Sequence, residues 1–444
     1  MPILPIDTGR YGTPEMLKIF EEETRIQKLL DVEAALAFAH AEVGNIPKKD
    51  AEKIAFEART EFVKVDRVKA IEKDIKHDIA SLVRALSEVS GSSGAYVHLG
   101  ATSYDIVDTA NALQLKDAIN IIENKLETFK KILQENAARY KETVMVGRTH
   151  GQHALPITLG FKFAVWGYEI NRHIERLNEC KKRVLVGKIS GAVGTQAGLG
   201  DHAEKIQELV MNRLGLRSAE ISTQIVQRDR YAELIGIYAM VASSLENFAT
   251  EIRELQRPEI GELFEAFEAS KQVGSSTMPH KQNPETCERV CGLARIVRSL
   301  NSPALEDMIT WHERDLTQSS AERFIFPESN ILLDYMLALM CSIVANLKVD
   351  KERMLQNLDL TGGRAMSESV MMALTKKGVD RQEAHELLRK LTIQSALEKK
   401  QFKYSLLKDK FVHSKLNEQE IDAALNPANY LGTAVKQAEK FAKS

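Results

Sequence analysis

The chain carries, at residues 274–284, the stretch Gly274-Ser275-Ser276-Thr277-Met278-Pro279-His280-Lys281-Gln282-Asn283-Pro284. Asn283 before Pro284 is typical of a helix N-cap followed by proline at the first helical position, so we predict a helix from Pro284 to about Leu300. The unpaired N–H groups of such a helix end favour anions, and Lys281 adds a positive charge upstream. The stretch is therefore a candidate site for carboxylates, although a plain Gly/Ser/Pro turn between two helices explains the same residues.

The composition favours a large helical protein. The chain has 444 residues, of which 44% are hydrophobic and 27% charged, with a net charge of only -2. This balance suggests neither disorder nor a polyanionic partner, so we expect no nucleic-acid binding. Only 11 prolines and 24 glycines interrupt long runs rich in Ala, Leu, Glu and Lys, which is typical of an all-α fold.

The cysteines and the apolar segments favour a cytoplasmic protein. Four scattered cysteines, Cys180, Cys287, Cys291 and Cys341, do not form a disulfide framework. Cys287 and Cys291 could share a helix face, but without a second cysteine pair nearby they argue against a metal site. The N-terminus lacks the features of a signal peptide. The most apolar stretch, 331–347, is shorter than the ~20 residues of a membrane span and is expected to be a core helix.

Three helical regions are predicted along the chain. They are an N-terminal domain over 1–98, a central domain of long helices over 99–349 and a C-terminal domain over 350–444. Long helices are expected at 105–143, 156–186, 228–256, 284–301 and 328–348. They exceed the usual mean of about 11–12 residues and imply an extended bundle.

A second motif surrounds His150. The glycines and Pro156 of the segment 147–156 predict an irregular backbone that exposes Thr149 and His150 in a cleft. An imidazole with a pKa near ~6.5 can give and take protons near neutrality. His150 and His153 could also suggest a metal pair, but no acidic or cysteine partner lies nearby in the sequence.

Further candidates lie at predicted helix ends and turns. Arg10 and Tyr11 stand in an exposed glycine turn, which by spacing alone reads as a flexible terminus, and His77-Asp78 lies on the polar edge of a helix. Thr102 or Ser103 could cap the long helix that follows them. Between residues 311 and 323, arginines and hydroxyls alternate; these suit a phosphate, although a charged surface with internal ion pairs explains them too.

Together these motifs resemble the fumarase/aspartase superfamily. Its signature loop reads Gly-Ser-Ser-x-Met-Pro, a variable residue, Lys, another variable residue, Asn and Pro, and residues 274–284 fit it without a gap. The histidine at the first variable position, His280, resembles the residue found there in the adenylosuccinate lyase branch, though lactonising relatives carry it too. The Thr149-His150 string and the segment 311–323 also resemble that branch, and fumarase and aspartase lack the latter segment.

The resemblance implies a fold and an assembly. The fold would be all-α, with three helical domains and a central long-helix bundle completed in a homotetramer whose active sites are shared between subunits. The implied activity is elimination of fumarate from adenylosuccinate, giving AMP, and from the succinylated aminoimidazole-carboxamide ribotide of purine synthesis. Substrates would be small nucleotides, with no cofactor, no metal and no membrane partner.

The resemblance also implies residue roles. Ser276 would be the base and His150 the acid oriented by Glu288, with His77 binding substrate; His150 as base and His77 as acid remains open. The complete catalytic set is Ser276, His150, His77, Lys281 and Glu288. The substrate-binding set is Arg10, Tyr11, Asp78, Thr102, Ser103, Thr149, Gln224, Ser275, Met278, Asn283, Arg314, Ser319 and Arg323.

Two alternatives stay open. One is another superfamily enzyme, such as an argininosuccinate lyase or a carboxymuconate cycloisomerase; His280, the Arg10-Tyr11 turn and the segment 311–323 argue against it. The other is a helical scaffold or binding protein that has lost catalysis, against which the intact set of Ser276, Lys281, His150 and Glu288 argues.

Overall fold

A computed structural model describes residues 3–266, 277, 278 and 280–444, and these are mostly helical. Within them the α-helices are, in chain order, α1 (Pro14–Phe20), α2 (Glu22–Glu42), α3 (Lys48–Glu57), α4 (Val65–Ile75), α5 (Asp78–Ser90), α6 (Ser103–Arg139), α7 (Leu159–Val184), α8 (Ala203–Leu214), α9 (Asp229–Gln256), α10 (Glu285–Ser299), α11 (Asn301–Glu306), α12 (Thr317–Ala345), α13 (Lys351–Asp359), α14 (Ser367–Lys376), α15 (Arg381–Leu397), α16 (Phe402–Lys408), α17 (Lys410–Lys415), α18 (Glu418–Leu425) and α19 (Ala434–Ala442). Short 3₁₀ helices occupy Pro5–Thr8, Gly91–Tyr96, Ala197–His202, Arg364–Met366 and Pro427–Asn429. The predicted all-α class is confirmed.

The strands of the described residues are short and paired two by two. They are β1 (Val144–Thr149), β2 (Gln152–Thr158), β3 (Val186–Gly187), β4 (Arg217–Ser218), β5 (Leu263–Phe264) and β6 (Lys348–Val349). β1 pairs antiparallel with β2, β3 parallel with β4, and β5 antiparallel with β6. The β1–β2 hairpin is the longest of these pairs and carries the motif around His150.

The five predicted long helices are present as α6, α7, α9, α10 and α12, with differences at their ends; α6, for example, ends at Arg139 rather than 143. Helix α7 begins at Leu159 rather than 156, because the preceding residues pair in β2. Helix α12 begins at Thr317 and continues through Pro327, so the predicted start at 328 is wrong. Proline inside a helix removes one backbone hydrogen bond, and the buried apolar residues on both sides of it outweigh that loss.

The chain groups into two compact units. Unit 1 comprises Met1–Glu127, Arg172–Leu245 and Gly292–Ala338, and one of its apolar clusters joins α2–α5, the start of α6 and α8. Leu30, Leu36 and Leu86 are fully buried in this cluster. Leu30 and Leu36 lie on α2 and Leu86 lies on α5, so the apolar side of each helix is buried by its neighbours. The predicted three-domain division at 98/99 and 349/350 stays a prediction.

Unit 2 comprises Thr128–Asn171, Glu246–Cys291 and Leu339–Ser444. Trp166 stacks on Phe248 with ring centroids 4.8 Å apart. Gly167 allows the last helix to approach, since a Cβ there would stand 1.8 Å from an atom of the Phe441 ring. A separate apolar cluster joins helices α14 to α18. Close aromatic packing therefore ties α19 to α7 within this unit.

Helix α12 was expected to be a core helix. It is 29 residues long, and by length and composition it could cross a membrane, with a mean hydropathy of 1.4 over its most apolar window. However, 61% of that window is buried. The helix also buries Asn330, which accepts a hydrogen bond from the Tyr238 hydroxyl, and Asp334, which pairs with Lys125. Such satisfied polar groups are typical of a protein interior.

Candidate active site

The predicted site residues fall into both units, and we describe each set within its own unit. Ser275 and Ser276 lie outside the described residues. Unit 2 contains Thr149, His150, Met278, Lys281, Asn283 and Glu288; unit 1 contains Arg10, Tyr11, His77, Asp78, Thr102, Ser103, Gln224, Arg314, Ser319 and Arg323.

In unit 2, His150 stands at the tip of the β1–β2 hairpin. The two-residue turn is His150-Gly151, with φ values of 55° and 72°. Positive φ at both central positions characterises the type I′ turn, which matches the twist of paired strands. Thr149 and His150 are exposed. The sequence reasoning treated 147–156 as irregular and missed the strands, although a short turn between two apolar runs is a hairpin signal.

A buried ion pair anchors this hairpin. Arg148 forks onto Glu262, with Nη1 and Nη2 donating to the two carboxylate oxygens at 2.9 and 2.6 Å. Glu262 is fully buried and also accepts from Asn357 Nδ2 at 2.7 Å. Bidentate arginine–carboxylate contacts fix geometry as well as charge. They hold the strand that ends in Thr149, and neither Glu262 nor Asn357 was foreseen from the sequence.

The hairpin also carries His153, which pairs with Arg148 across the strands. Burial and the neighbouring Arg148 charge lower the pKa of the His153 imidazole. In the described part of the chain, no group of three or more histidine, cysteine or acidic side chains is arranged to hold a metal.

The structure describes residues 277, 278 and 280–288, which include the end of the signature stretch and the start of α10. Met278 and Lys281 are exposed, and the Lys281 N–H donates to the Met278 carbonyl at 3.0 Å. Asn283 is half-buried, and Glu288 is exposed in the first turn of α10. Glu288 and His150 share no hydrogen bond or ion pair in the described chain, so the orienting role of Glu288 stays a prediction.

The N-terminus of α10 differs from the expected anion site. The helix begins at Glu285, and the Glu265 carboxylate accepts hydrogen bonds from the Thr286 and Cys287 N–H groups at 3.1 and 3.0 Å. A carboxylate at a helix N-terminus satisfies both the orphan donors and the dipole. The expectation that these N–H groups are unpaired is therefore wrong for two of them, because the protein supplies its own anion.

In unit 1, His77 lies between two helices, and Asp78 is the first residue of α5. Helix α4 ends at Ile75, and His77 caps α5 by accepting from the Ala80 N–H at 3.3 Å. Asp78 accepts from Arg323 Nη2 at 2.7 Å. Arg323, a predicted phosphate-binding residue, is thus already paired with Asp78, a predicted substrate-binding residue. Both side chains remain accessible, Arg323 being 61% exposed.

Thr102 and Ser103 stand at the start of α6, which begins at Ser103. The Thr102 N–H donates to Asp105 Oδ2 at 2.8 Å. Asp105 is fully buried, pairs with the fully buried Lys188 and accepts from the Ser190 N–H at 2.8 Å. Asp105 therefore ties the Thr102 turn to the glycine-rich segment after β3, a role that the sequence reasoning did not assign.

Arg314 and Gln224 are in direct contact. Arg314 Nη1 donates to Gln224 Oε1 at 2.7 Å, and Gln224 Nε2 donates to the Ala192 carbonyl at 2.6 Å. The Arg314 guanidinium lies over the ring of Tyr104, 3.6 Å from its centroid. The Ser319 hydroxyl interacts with the Tyr104 hydroxyl. Three of the predicted substrate ligands thus meet around one tyrosine.

A buried charge cluster lies beside them. Arg228 forks onto Asp108, with both contacts at 2.9 Å, and donates to Glu322 at 2.7 Å. All three are buried. Burial raises the pKa of Glu322 to about 7, although Arg228 opposes the change. Asp108 follows Tyr104 by one helical turn and Glu322 follows Ser319, so the cluster braces the two helices that carry these residues.

Arg10 and Tyr11 stand in the turn before α1. Gly9 and Tyr11 have positive φ values of 74° and 65°, and the Arg10 guanidinium lies 5.7 Å from the Tyr11 ring centroid. The Tyr11 ring also meets Tyr335, with centroids 6.1 Å apart. The described turn is thus packed against α12 within unit 1.

Comparison with known proteins adds a second line of argument. A family model described as Lyase matches residues 9–298, and one described as Adenylosuccinate lyase C-terminus matches residues 363–441. The adenylosuccinate lyase of Pyrococcus abyssi is 53% identical over 434 residues, covering 98% of this chain and 96% of the relative. That of Methanocaldococcus jannaschii is 48% identical over 445 residues, covering 100% and 96%.

Solved structures are similar over the same length. A fumarate lyase from Mesorhizobium sp. BNC1 matches with a TM-score of 0.91 and 33% identity, covering 100% of both chains. A 3-carboxy-cis,cis-muconate lactonizing enzyme from Pseudomonas putida matches with a TM-score of 0.90 and 34% identity, covering 99% of this chain and 98% of the other.

Proposed function

This chain belongs to the adenylosuccinate lyases of the fumarase/aspartase superfamily, and from that premise we propose which residues carry its reaction. The reaction is β-elimination of fumarate from adenylosuccinate, giving AMP, and from the succinylated aminoimidazole-carboxamide ribotide. A base takes a proton from the carbon beside a succinyl carboxylate. The electron pair of that C–H bond forms the C=C bond of fumarate, the C–N bond breaks, and an acid protonates the departing nitrogen.

The observation that carries the proposal is the cationic cluster at the start of α12. In the described chain, Arg314 has no ion pair; it stacks on Tyr104 and donates to Gln224. A half-buried guanidinium without a carboxylate partner favours an incoming anion. Arg314 lies just before α12, and Ser319 and Arg323 lie on the first turns of that helix. This grouping supports recognition of a nucleotide phosphate.

Ser276 is the proposed base, carried by the signature stretch. A serine hydroxyl needs activation before it can take a proton from carbon. Lys281, exposed five residues further on, can supply positive charge. Because Glu265 already neutralises the first turn of α10, Lys281 rather than the helix dipole is the main proposed source of this activation.

His150 is the proposed acid. An exposed imidazole on a braced hairpin can reach a substrate while its backbone stays fixed. Glu288 is proposed to orient it in the assembled enzyme, and His77 to bind the substrate. The reverse assignment, with His150 as base and His77 as acid, predicts a different proton path for the same residues.

Turnover of the Ser276→Ala variant tests the base. We expect wild-type protein to release fumarate from adenylosuccinate, and Ser276→Ala to abolish turnover while leaving AMP binding largely intact. Ser414→Ala, which changes an exposed serine on α17, is the matched control and keeps full activity. Unchanged kcat in Ser276→Ala contradicts the assignment, and His150→Asn measured in parallel then tests the reverse one.

We further propose a homotetramer whose sites are shared between subunits. Large apolar side chains are exposed on unit 1 around the start of α12: Ile309 and Trp311 are each 75% exposed, Leu316 67% and Phe324 59%. Contiguous exposed apolar residues are typical of protein interfaces. The proposal predicts four chain masses by light scattering and their separation in a Trp311→Glu, Leu316→Glu double variant. An active monomer contradicts it.

The runner-up activity is that of a carboxymuconate cycloisomerase. It is favoured by the structural match to the lactonizing enzyme at 34% identity. The higher identities to adenylosuccinate lyases and the match at residues 363–441 argue against it. Incubation with adenylosuccinate and with carboxymuconate in parallel separates the two. We also propose a cytoplasmic location, since all four cysteines are free thiols.

A further inference from the structure

Tyr104 holds an unusual place among the arginine contacts of unit 1. Its ring is 5% exposed and lies beneath the Arg314 guanidinium at 3.6 Å. On another side Arg228 stands 5.8 Å from the ring centroid. The tyrosine is thus fixed in the interior while the cation that it supports remains half-buried.

Arg314 differs from the neighbouring arginines of unit 1 in having no carboxylate partner in the described chain. Arg228 is neutralised by Asp108 and Glu322, and Arg323 is paired with Asp78. Arg314 has no such partner in the described chain; its Nη1 donates to the neutral Gln224 amide, and its buried Nε has no hydrogen-bond acceptor. An aromatic face attracts a cation without cancelling its charge. A carboxylate in the same place would compete with an incoming phosphate.

We propose that Tyr104 is a positioning residue that holds Arg314 flat and uncompensated for the phosphate of the nucleotide substrate. This rests on the proposed function and deepens it. The ring restricts the guanidinium plane, and Gln224, itself fixed by the Ala192 carbonyl, restricts its rotation within that plane. Tyr104 therefore determines how much binding energy the phosphate supplies.

Variants at Tyr104 separate the ring from its hydroxyl. Tyr104→Phe keeps the face and is expected to stay within about twofold of wild type in KM, because a phenyl ring binds cations nearly as well. Tyr104→Leu removes the face, and we expect KM for adenylosuccinate and Kd for AMP to rise about tenfold, as the loss of a desolvated cation–π contact predicts. We expect kcat to change much less, because the phosphate is remote from the bond that breaks.

The control ligand is adenosine, which lacks the phosphate. Its Kd is expected to be the same in wild type and Tyr104→Leu, whereas a general loss of packing would weaken adenosine and AMP alike. The matched control variant is Tyr404→Leu, which removes a tyrosine under Lys400 and Lys408 in unit 2. Tyr404→Leu is expected to leave KM, kcat and the Kd values for AMP and adenosine unchanged.

Three results overturn the proposal: unchanged AMP affinity in Tyr104→Leu, equal losses for AMP and adenosine, or a further loss when Tyr104→Leu is added to Arg314→Gln. If circular dichroism shows that Tyr104→Leu does not fold, Tyr104→Met, which keeps bulk without an aromatic face, replaces it under the same criteria. If wild-type protein binds AMP but does not cleave adenylosuccinate, the proposed function is refuted instead. The Tyr104 proposal is then still tested by the AMP affinities of wild type and Tyr104→Leu.

Discussion

Replacing Glu322 by glutamine should change how stability depends on pH. One buried guanidinium, Arg228, serves two carboxylates, Asp108 and Glu322. With both carboxylates ionised, the buried cluster carries a net negative charge, and burial disfavours that charge. Burial accordingly raises the pKa of Glu322 from 4.5 to about 7.

The sign follows from proton linkage. A carboxyl with a higher pKa in the folded state binds its proton more tightly there, so it contributes stability at low pH and loses it as pH rises. For Glu322 this loss should run from near 4.5 through about 7. One pKa unit corresponds to about 1.4 kcal/mol, so wild type should lose about 3 kcal/mol between pH 4.5 and 8 through this group.

Urea unfolding of wild type and Glu322→Gln at pH 5, 6, 7 and 8 measures this effect. The difference between the two proteins isolates Glu322, since Asp307, whose pKa burial raises to about 6, titrates in both. We expect the variant to gain on wild type steadily toward pH 8. Glu383→Gln, at an exposed carboxylate of α15, is the control and should show no trend. A constant or opposite difference means that Arg228 keeps Glu322 ionised throughout, which refutes the reasoning.

Three further outcomes are expected. His150→Asn should lower kcat by about 10²–10⁴-fold, as loss of an acid–base group does, without lowering the unfolding temperature, because His150 is exposed; a lower unfolding temperature would reveal a structural role. Arg148→Met should cost about 3–5 kcal/mol by stranding the buried Glu262, and adding Glu262→Gln should restore part of it in urea unfolding; a neutral Arg148→Met would show that the fork contributes little. Burial raises the pKa of the Cys287 thiol, so mass spectrometry after maleimide treatment should find it protected in native protein and modified in urea; modification at equal rates would contradict its burial.

The helical fold could be predicted because apolar residues at helical spacing over a long segment indicate a helix from the local sequence alone. Helix α9 was predicted at 228–256 and observed at Asp229–Gln256. The failures occurred where tertiary contacts outweigh local signals. The predicted helix start at 328 is wrong, because α12 begins at Thr317 and continues through Pro327, with buried apolar residues on both sides. The β1–β2 hairpin was missed because its strands are short and its turn begins with histidine rather than asparagine.

Only those residues of the candidate site that belong to sequence motifs could be predicted. Motifs identify candidate ligand-binding side chains, such as Arg314 and His150, but not the buried groups that hold them. Glu262 lies 114 residues from Arg148 in the chain, and no local pattern connects the two. The same is true of Glu265, which replaced the expected free helix end with an internal carboxylate. Hydrogen-bond partners that lie this far apart in the sequence can be identified only once the fold is known.

Backbone strain gives an independent argument for where function lies. In the described chain, the non-glycine residues with positive φ are Tyr11, Lys76, His98, His150, Gln196, His312 and Lys399. Two of these are predicted site residues, Lys76 precedes His77, and His312 lies two residues before Arg314. A left-handed backbone costs an ordinary residue about 1–2 kcal/mol, and it persists only where surrounding contacts enforce it. At the β1–β2 turn such a contact is visible, since the Arg148–Glu262 ion pair holds the strand that leads into His150. In the β1–β2 hairpin, a left-handed turn at a predicted site residue is therefore combined with a buried ion pair that fixes the strand leading into it.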